Sequence, residues 1–173
     1  MMTYQVVDIG LPKPRIITYQ VSGSTVAELW DSIMRNTIAP EGFPAYTWWC
    51  YRWWPLGGNR VLLNYQLLLF MPQLAPSSAI PEAVKAEWRR YHKATWTHEQ
   101  RHVALFLAAI ERMKDIGNPE RFKQIEELAN SLSAEFDEIT SHGVLEGASL
   151  PLSAPPQDFS DWLRQAIERI RAA

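Results

Sequence analysis

Hydrophobic and polar positions change period once along this chain, from two to about 3.6, and the change divides it into two halves. Residues 3–9 and 15–21 alternate as half-buried strands do, and the breaker containing Pro12 and Pro14 separates them. Gly23 and Ser24 introduce TVAELWDSIMRN, where Thr25 and Glu28 have capping-box spacing and Val26, Leu29, Trp30 and Ile33 form one apolar stripe. This helix is expected to end before Pro40. AYTWWCYRWW (45–54) is aromatic and strand-favouring, PLGGN supplies a turn, and RVLLNYQLLLFM (60–71) closes a hairpin. The order β-β-α-β-β predicts a small, mostly antiparallel sheet with a helix on one face.

After the loop QLAPSSA the pattern is helical. Pro81 suits the first helical position, and Trp88, Tyr91, Thr95, His98, His102, Leu105, Ala109 and Met113 share one stripe as far as Ile116. That length allows a break near Lys93–Thr97. Gly117-Asn118-Pro119 ends the segment, and a second helix is expected over 119–141 with Gly143 just past its end. Residues 151–157 (PLSAPPQ) read as a linker, and Asp158 as the cap of a final amphipathic helix over 158–173. The expected fold is α+β: one domain over 1–150, its sheet followed by a helical half.

The long helix carries His98-Glu99-Gln100-Arg101-His102. Residues four apart on a helix lie about 40° apart around its axis, so both imidazoles project from one face. Two neutral imidazoles suit Zn2+, and a third protein ligand would leave a position open for water, whose pKa zinc lowers toward about 7. Glu99, beside the first ligand, is placed to take a proton from that water and pass it to a leaving amine. The competing reading is two core histidines with satisfied hydrogen bonds. Two of them bracketing a glutamate on a buried face leaves too many costly polar groups to pair.

The third ligand is open. An extended metzincin pattern is excluded, because Leu105 and Ala108 stand where it needs Gly and His. Glu126, Glu127 and Glu135 are available on the next helix. His142 is the better candidate, because antiparallel helices joined at 117–119 bring the end of the second beside the earlier turns of the first. Otherwise His142 is a polar residue favoured by the helix C-terminus.

Composition narrows the partners. The chain has 173 residues, 47% hydrophobic and 21% charged, with a formal net charge of -2. That balance gives no electrostatic reason to expect nucleic acid. Cys50 is the only cysteine, which excludes a disulfide framework and a thiolate cluster. No run approaches roughly 18 apolar residues, so no membrane span is expected. The first residues, MMTYQVVDIGLPKPR, do not read as a signal peptide, which makes the cytoplasm the default compartment. Eight tryptophans are present, and Trp48, Trp49, Trp53 and Trp54 alternate along one strand, one face for the core and the other for a core, cleft or partner surface. His92 is rotated off the ligand face.

Three stretches carry a resemblance. TYQVSGSTVAELWDSI, AYTWWCYRWW with its W-x-x-x-W spacing, and HEQRH followed some forty residues later by FDEITSHG resemble, in that order over residues 18–143, the DUF922 family, described as secreted zinc-dependent proteases. The resemblance implies a zincin-like metallopeptidase domain, Zn2+ at His98 and His102 with His142 as third ligand, Glu99 as catalytic base, and a peptide or protein substrate. It marks Asp137 and Thr140 as supporting positions, with Asp137 orienting a ligand histidine. It also implies secretion or a periplasmic location, against the N-terminus. Two positions depart from the family pattern: Arg101 replaces a glycine, and Phe136 replaces a tyrosine whose phenol could polarise a carbonyl. Two other classes remain: a zinc hydrolase of a non-peptide amide or small metabolite, with Arg101 reading a carboxylate, and a partner-binding module with structural zinc. A closed four-ligand site would favour the latter, an open one an enzyme.

Overall fold

The computed structural model describes residues 4–76 and 80–173; the first residue of the expected opening strand and the loop through 77–79 lie outside them. The chain forms β1 (Gln5–Asp8), β2 (Arg15–Val21), α1 (Val26–Asn36), β3 (Tyr46–Gly57), β4 (Arg60–Leu74), α2 (Glu82–Ile116), α3 (Phe122–Thr140) and α4 (Ser160–Ala172). Strands and helices fall where the periodicity puts them.

The pairing of the sheet differs from the antiparallel expectation. β4 is central: β1 and β2 both pair with it in parallel, and only the β3–β4 hairpin is antiparallel. Asp8 lies opposite Leu63 and Arg15 opposite Leu68, so β1 and β2 run end to end along one edge of β4. Between them the amides of Ile9 and Leu11 still donate to the carbonyls of Leu63 and Tyr65. The Pro12 and Pro14 segment removes donors and keeps the backbone extended, so it interrupts the ladder without reversing the chain. The tight reversal stands at the hairpin, where Gly58 and Asn59 (φ 58° and 57°) make a two-residue turn between Gly57 and Arg60.

Val61, Leu63, Tyr65, Leu67, Leu69 and Met71 are buried in alternation along β4. With Val103, Phe106 and Ile110 of α2, Phe122 and Leu132 of α3, and Ala166 and Ile170 of α4, three of them (Leu63, Tyr65 and Leu67) build the main core. Trp49 turns toward the helices and stacks on Phe106 at 4.8 Å, whereas Trp48 and Trp54, on the opposite face, are 37% and 42% exposed. α2 is unbroken. Thr97 donates back to the Lys93 carbonyl within the helix, and Gly117 closes it in the left-handed region. At α1, Thr25 accepts from the Glu28 amide while Glu28 reaches back to the Ser24 amide. Among the described residues no helix is long and apolar enough to cross a membrane.

Candidate metal centre

The middle of α2 crosses beneath β3 and against α3, and His98, Glu99 and His102 are all buried there. Their helical spacing turns both imidazoles toward α3, where Asp137 meets them. Asp137 Oδ1 lies 3.1 Å from His98 Nε2 and 3.1 Å from His102 Nε2, and the two Nε2 atoms are 3.2 Å apart. His98, His102 and Asp137 thus form a cluster able to hold a metal ion. Donors bonded at about 2.0–2.1 Å in a tetrahedral array stand about 3.3–3.4 Å apart, close to the sides of this triangle.

The outer ring nitrogens are already engaged. His98 Nδ1 faces Glu146 Oε2 at 2.6 Å, and His102 Nδ1 faces Ser133 Oγ at 2.8 Å. An N–H donated to Glu146 leaves His98 Nε2 as a bare lone pair facing Asp137. Lone pairs this close repel unless a proton or a cation sits among them, so the donor set fits a cation. Where protons rather than a cation fill that space, burial pushes the Asp137 carboxyl up, but the hydrogen bonds and charge of His102 and His98 outweigh it and hold it well below the usual carboxylate range.

Glu99 points the other way, toward the sheet. Thr47, buried on β3, donates to Glu99 Oε2 at 2.7 Å and to its backbone carbonyl at 3.2 Å. Burial raises the Glu99 carboxyl, offset in part by His102, His98 and Thr47.

The structure brings Asp137, expected in support, to the place expected of His142. Helix α3 ends at Thr140, and Ser141 and His142 adopt left-handed conformations (φ 51° and 52°) that carry the chain off the helix axis. The His142 side chain stays 59% exposed on the rim, Nδ1 3.7 Å from Asp137 Oδ1, its ring against Phe43 at 5.1 Å. Thr140 fixes this bend: it donates to the Phe136 carbonyl and accepts from the Gly143 amide. Gly143 (φ 81°) packs on the His98 ring so closely that a Cβ would fall 2.9 Å from its Cγ. Any side chain there would displace a member of the cluster.

Both departures from the family pattern lie behind the histidines. Phe136 is fully buried, stacked between His98 (5.0 Å) and Trp162 (5.2 Å), so its ring faces away from any substrate. Arg101 is bonded to Glu146 and, at 3.4 Å, to Asp158, which accepts from the Ser160 amide; the cap position of α4 falls on Phe159, one residue past the expected Asp158. Glu146 itself is buried. It is a site residue that sequence reasoning missed, as are Thr47 and Ser133. The signals for the last two were present: Thr47 alternates with Trp49 on the inward face of β3, and Glu126, Asn130, Ser133 and Asp137 form a polar stripe at helical spacing beside the apolar one of α3. Glu146, in a short turn past the helix, carries no such mark.

The cluster forms the floor of a cleft of about 650 Å³ between β3, α3 and the segment 41–45. The edge of β3 away from β4 has no strand partner among the described residues, and residues 45–49 line the cleft.

The molecule is therefore a mixed α/β domain with a candidate two-histidine, one-carboxylate metal cluster at the base of an open cleft. It belongs to the DUF922 family, described as bacterial protein of unknown function, whose sequence pattern matches residues 16–143. No curated protein matches the chain, and no solved structure does.

Proposed function

We propose that this chain is a zinc-dependent hydrolase of peptide bonds, in which His98, His102 and Asp137 hold the metal and Glu99 is the general base. The observation that carries this reading is the convergence of three donors within 3.2 Å of one another on a cleft that Glu99 also lines. Bound there, zinc would supply Lewis acidity, polarising a carbonyl and lowering the pKa of water.

The protein's own residues do the rest. Thr47 fixes Glu99 through Oε2 and leaves the other carboxylate oxygen to take a proton and return it to the leaving amine. Glu146 and Ser133 hold the two imidazoles with Nε2 toward the cleft. Arg101 compensates the buried charge of Glu146. The unpaired edge of β3 offers backbone groups to an extended peptide, which can add to the sheet as a further strand.

The two other classes are less well supported. Arg101 is committed to Glu146 and Asp158 and does not line the cleft, so an acidic metabolite would find no lysine or arginine there among the described residues. Three protein donors beside open space match a catalytic site better than a closed structural one. Glu146→Gln should weaken zinc retention by about 10–100-fold, measured by competition with a chromophoric chelator. Unchanged affinity would mean that His98 needs no carboxylate behind it.

The direct test measures metal in the purified protein by plasma emission spectrometry and follows cleavage of a peptide library by mass spectrometry. Close to stoichiometric zinc is expected, with cleavage that stops on chelation and returns with added zinc. A protein that takes up no zinc, or that binds it and cuts no peptide, would sink the proposal.

A further inference from the structure

The lining of the cleft has one sign of charge. Glu41, Glu126 and Glu138 reach it in addition to Glu99 and Asp137, and no lysine or arginine does. None of those three carboxylates forms an ion pair among the described residues; the nearest relief is the Tyr51 hydroxyl, 3.4 Å from Glu126. Two cations of the surrounding elements are engaged elsewhere, Arg101 with Glu146, and Arg90 with Glu87 and with the Gly147 and Ser149 carbonyls; Arg52 of β3 shares a neighbouring hollow with Glu126 but does not line this cleft.

Two independent observations point to a ligand in this cleft: one calls for polar groups, the other favours a cation. The hydroxyls of Tyr91 and Thr95 are buried, open on the same cleft, and make no hydrogen bond of normal geometry. They stand at four-residue spacing from each other and from Glu99 on α2, and each can accept from an ammonium or guanidinium as well as donate. Phe43, Tyr46 and Trp49 line the walls, and aromatic faces attract ammonium and guanidinium groups. An acidic substrate would bring like charge to Glu41, Glu126 and Glu138.

The carboxylates are also distributed in a way that suits an extended chain. Glu138 follows Asp137 directly, whereas Glu126 lies eleven residues earlier on α3, about 16 Å along the helix axis. A peptide advancing about 3.3 Å per residue spans that distance in about five residues. We infer that the cleft recognises a cationic peptide segment, with one Lys or Arg near the metal cluster, read by Glu138 and Glu41, and another several residues away, read by Glu126. This rests on the peptide-hydrolase reading above and names the substrate class of the same site.

The test uses the full chain carrying Glu99→Gln, loaded with zinc, and an extended fluorescent peptide of about ten residues. Three versions carry Arg and Lys, Gln, or Glu at the same positions, and binding is read by fluorescence anisotropy. The cationic peptide is expected to bind about tenfold or more tightly than the Gln version and to weaken as salt is raised. Glu126→Gln with Glu138→Gln should lose about fivefold or more of that affinity, and Glu126→Lys should shift preference toward the Glu peptide. Equal binding of the three peptides, or no effect of these substitutions in protein whose circular dichroism is unchanged, would overturn the inference. Turnover by the unsubstituted protein separates the two claims. Cationic peptide that binds and is not cut would leave the charge preference standing and remove the hydrolase. Cutting of Glu peptides as fast as cationic ones would do the reverse.

Discussion

Asp137→Ala should yield a folded protein that loses zinc on dialysis, whereas His142→Ala should keep it. The two substitutions remove neighbouring candidates on the same stretch of chain, so their contrast reports the ligand set directly. Asp137 Oδ1 lies 3.1 Å from both imidazole nitrogens, and the His142 ring is more than half exposed. Loss of one of three ligands should weaken zinc binding by about a hundredfold or more, since even supporting residues cost 10–100-fold. His142→Ala should cost less than about tenfold, the effect of a half-exposed rim group that reaches the cluster only through Asp137. Both are read by plasma emission after dialysis and by chelator competition. The reverse order of effects would restore the three-histidine set implied by the FDEITSHG motif and return Asp137 to a supporting place.

The second large effect is expected at Glu99. Glu99→Gln preserves the length of the side chain, and Thr47 can still donate to its amide oxygen, so neither fold nor zinc content should change. What disappears is the group that accepts a proton. A general base contributes about 10²–10⁴-fold, so kcat/KM on a cleaved peptide should fall by about a thousandfold. Zinc content measured on the same sample shows that the loss lies in chemistry and not in assembly. Activity within about tenfold of the unsubstituted protein would remove Glu99 from the mechanism. Thr47→Val should have a smaller effect of the same kind, because it frees the carboxylate without deleting it.

Much of this arrangement was legible in the order of residues. Periodicity located four helices and four strands, because each is amphipathic enough for the period to show above the noise of composition. HEQRH located the buried turn of α2 for the same reason: helical spacing turns a short local pattern into a three-dimensional one. Strand direction was not legible. A proline-containing link between two strands permits either a reversal or a continuation, and the choice is made by β4, some fifty residues away. The donor cluster His98, His102 and Asp137 was legible only in part for a related reason. Asp137 and His142 are five residues apart at a helix end, and which of them faces α2 depends on where the helix stops. Thr140 and Gly143 decide that through contacts with the Phe136 carbonyl and the His98 ring. Glu146 approaches from a segment without period, where sequence offers no geometry to extrapolate.

The link from Asp158 through Arg101 and Glu146 to His98 bears on what the natural unit of this protein is. The family pattern stops at residue 143, before Glu146, before Asp158, and before the helix whose Ala166 and Ile170 complete the main core. Inheritance and folding therefore draw different boundaries here. The matched residues include His98, Glu99, His102 and Asp137, while the segment beyond them supplies Glu146 behind His98 and Asp158 behind Arg101. On the proposed metal site, substitutions beyond residue 143 would change how firmly an ion is held without touching any of the residues proposed to act on it.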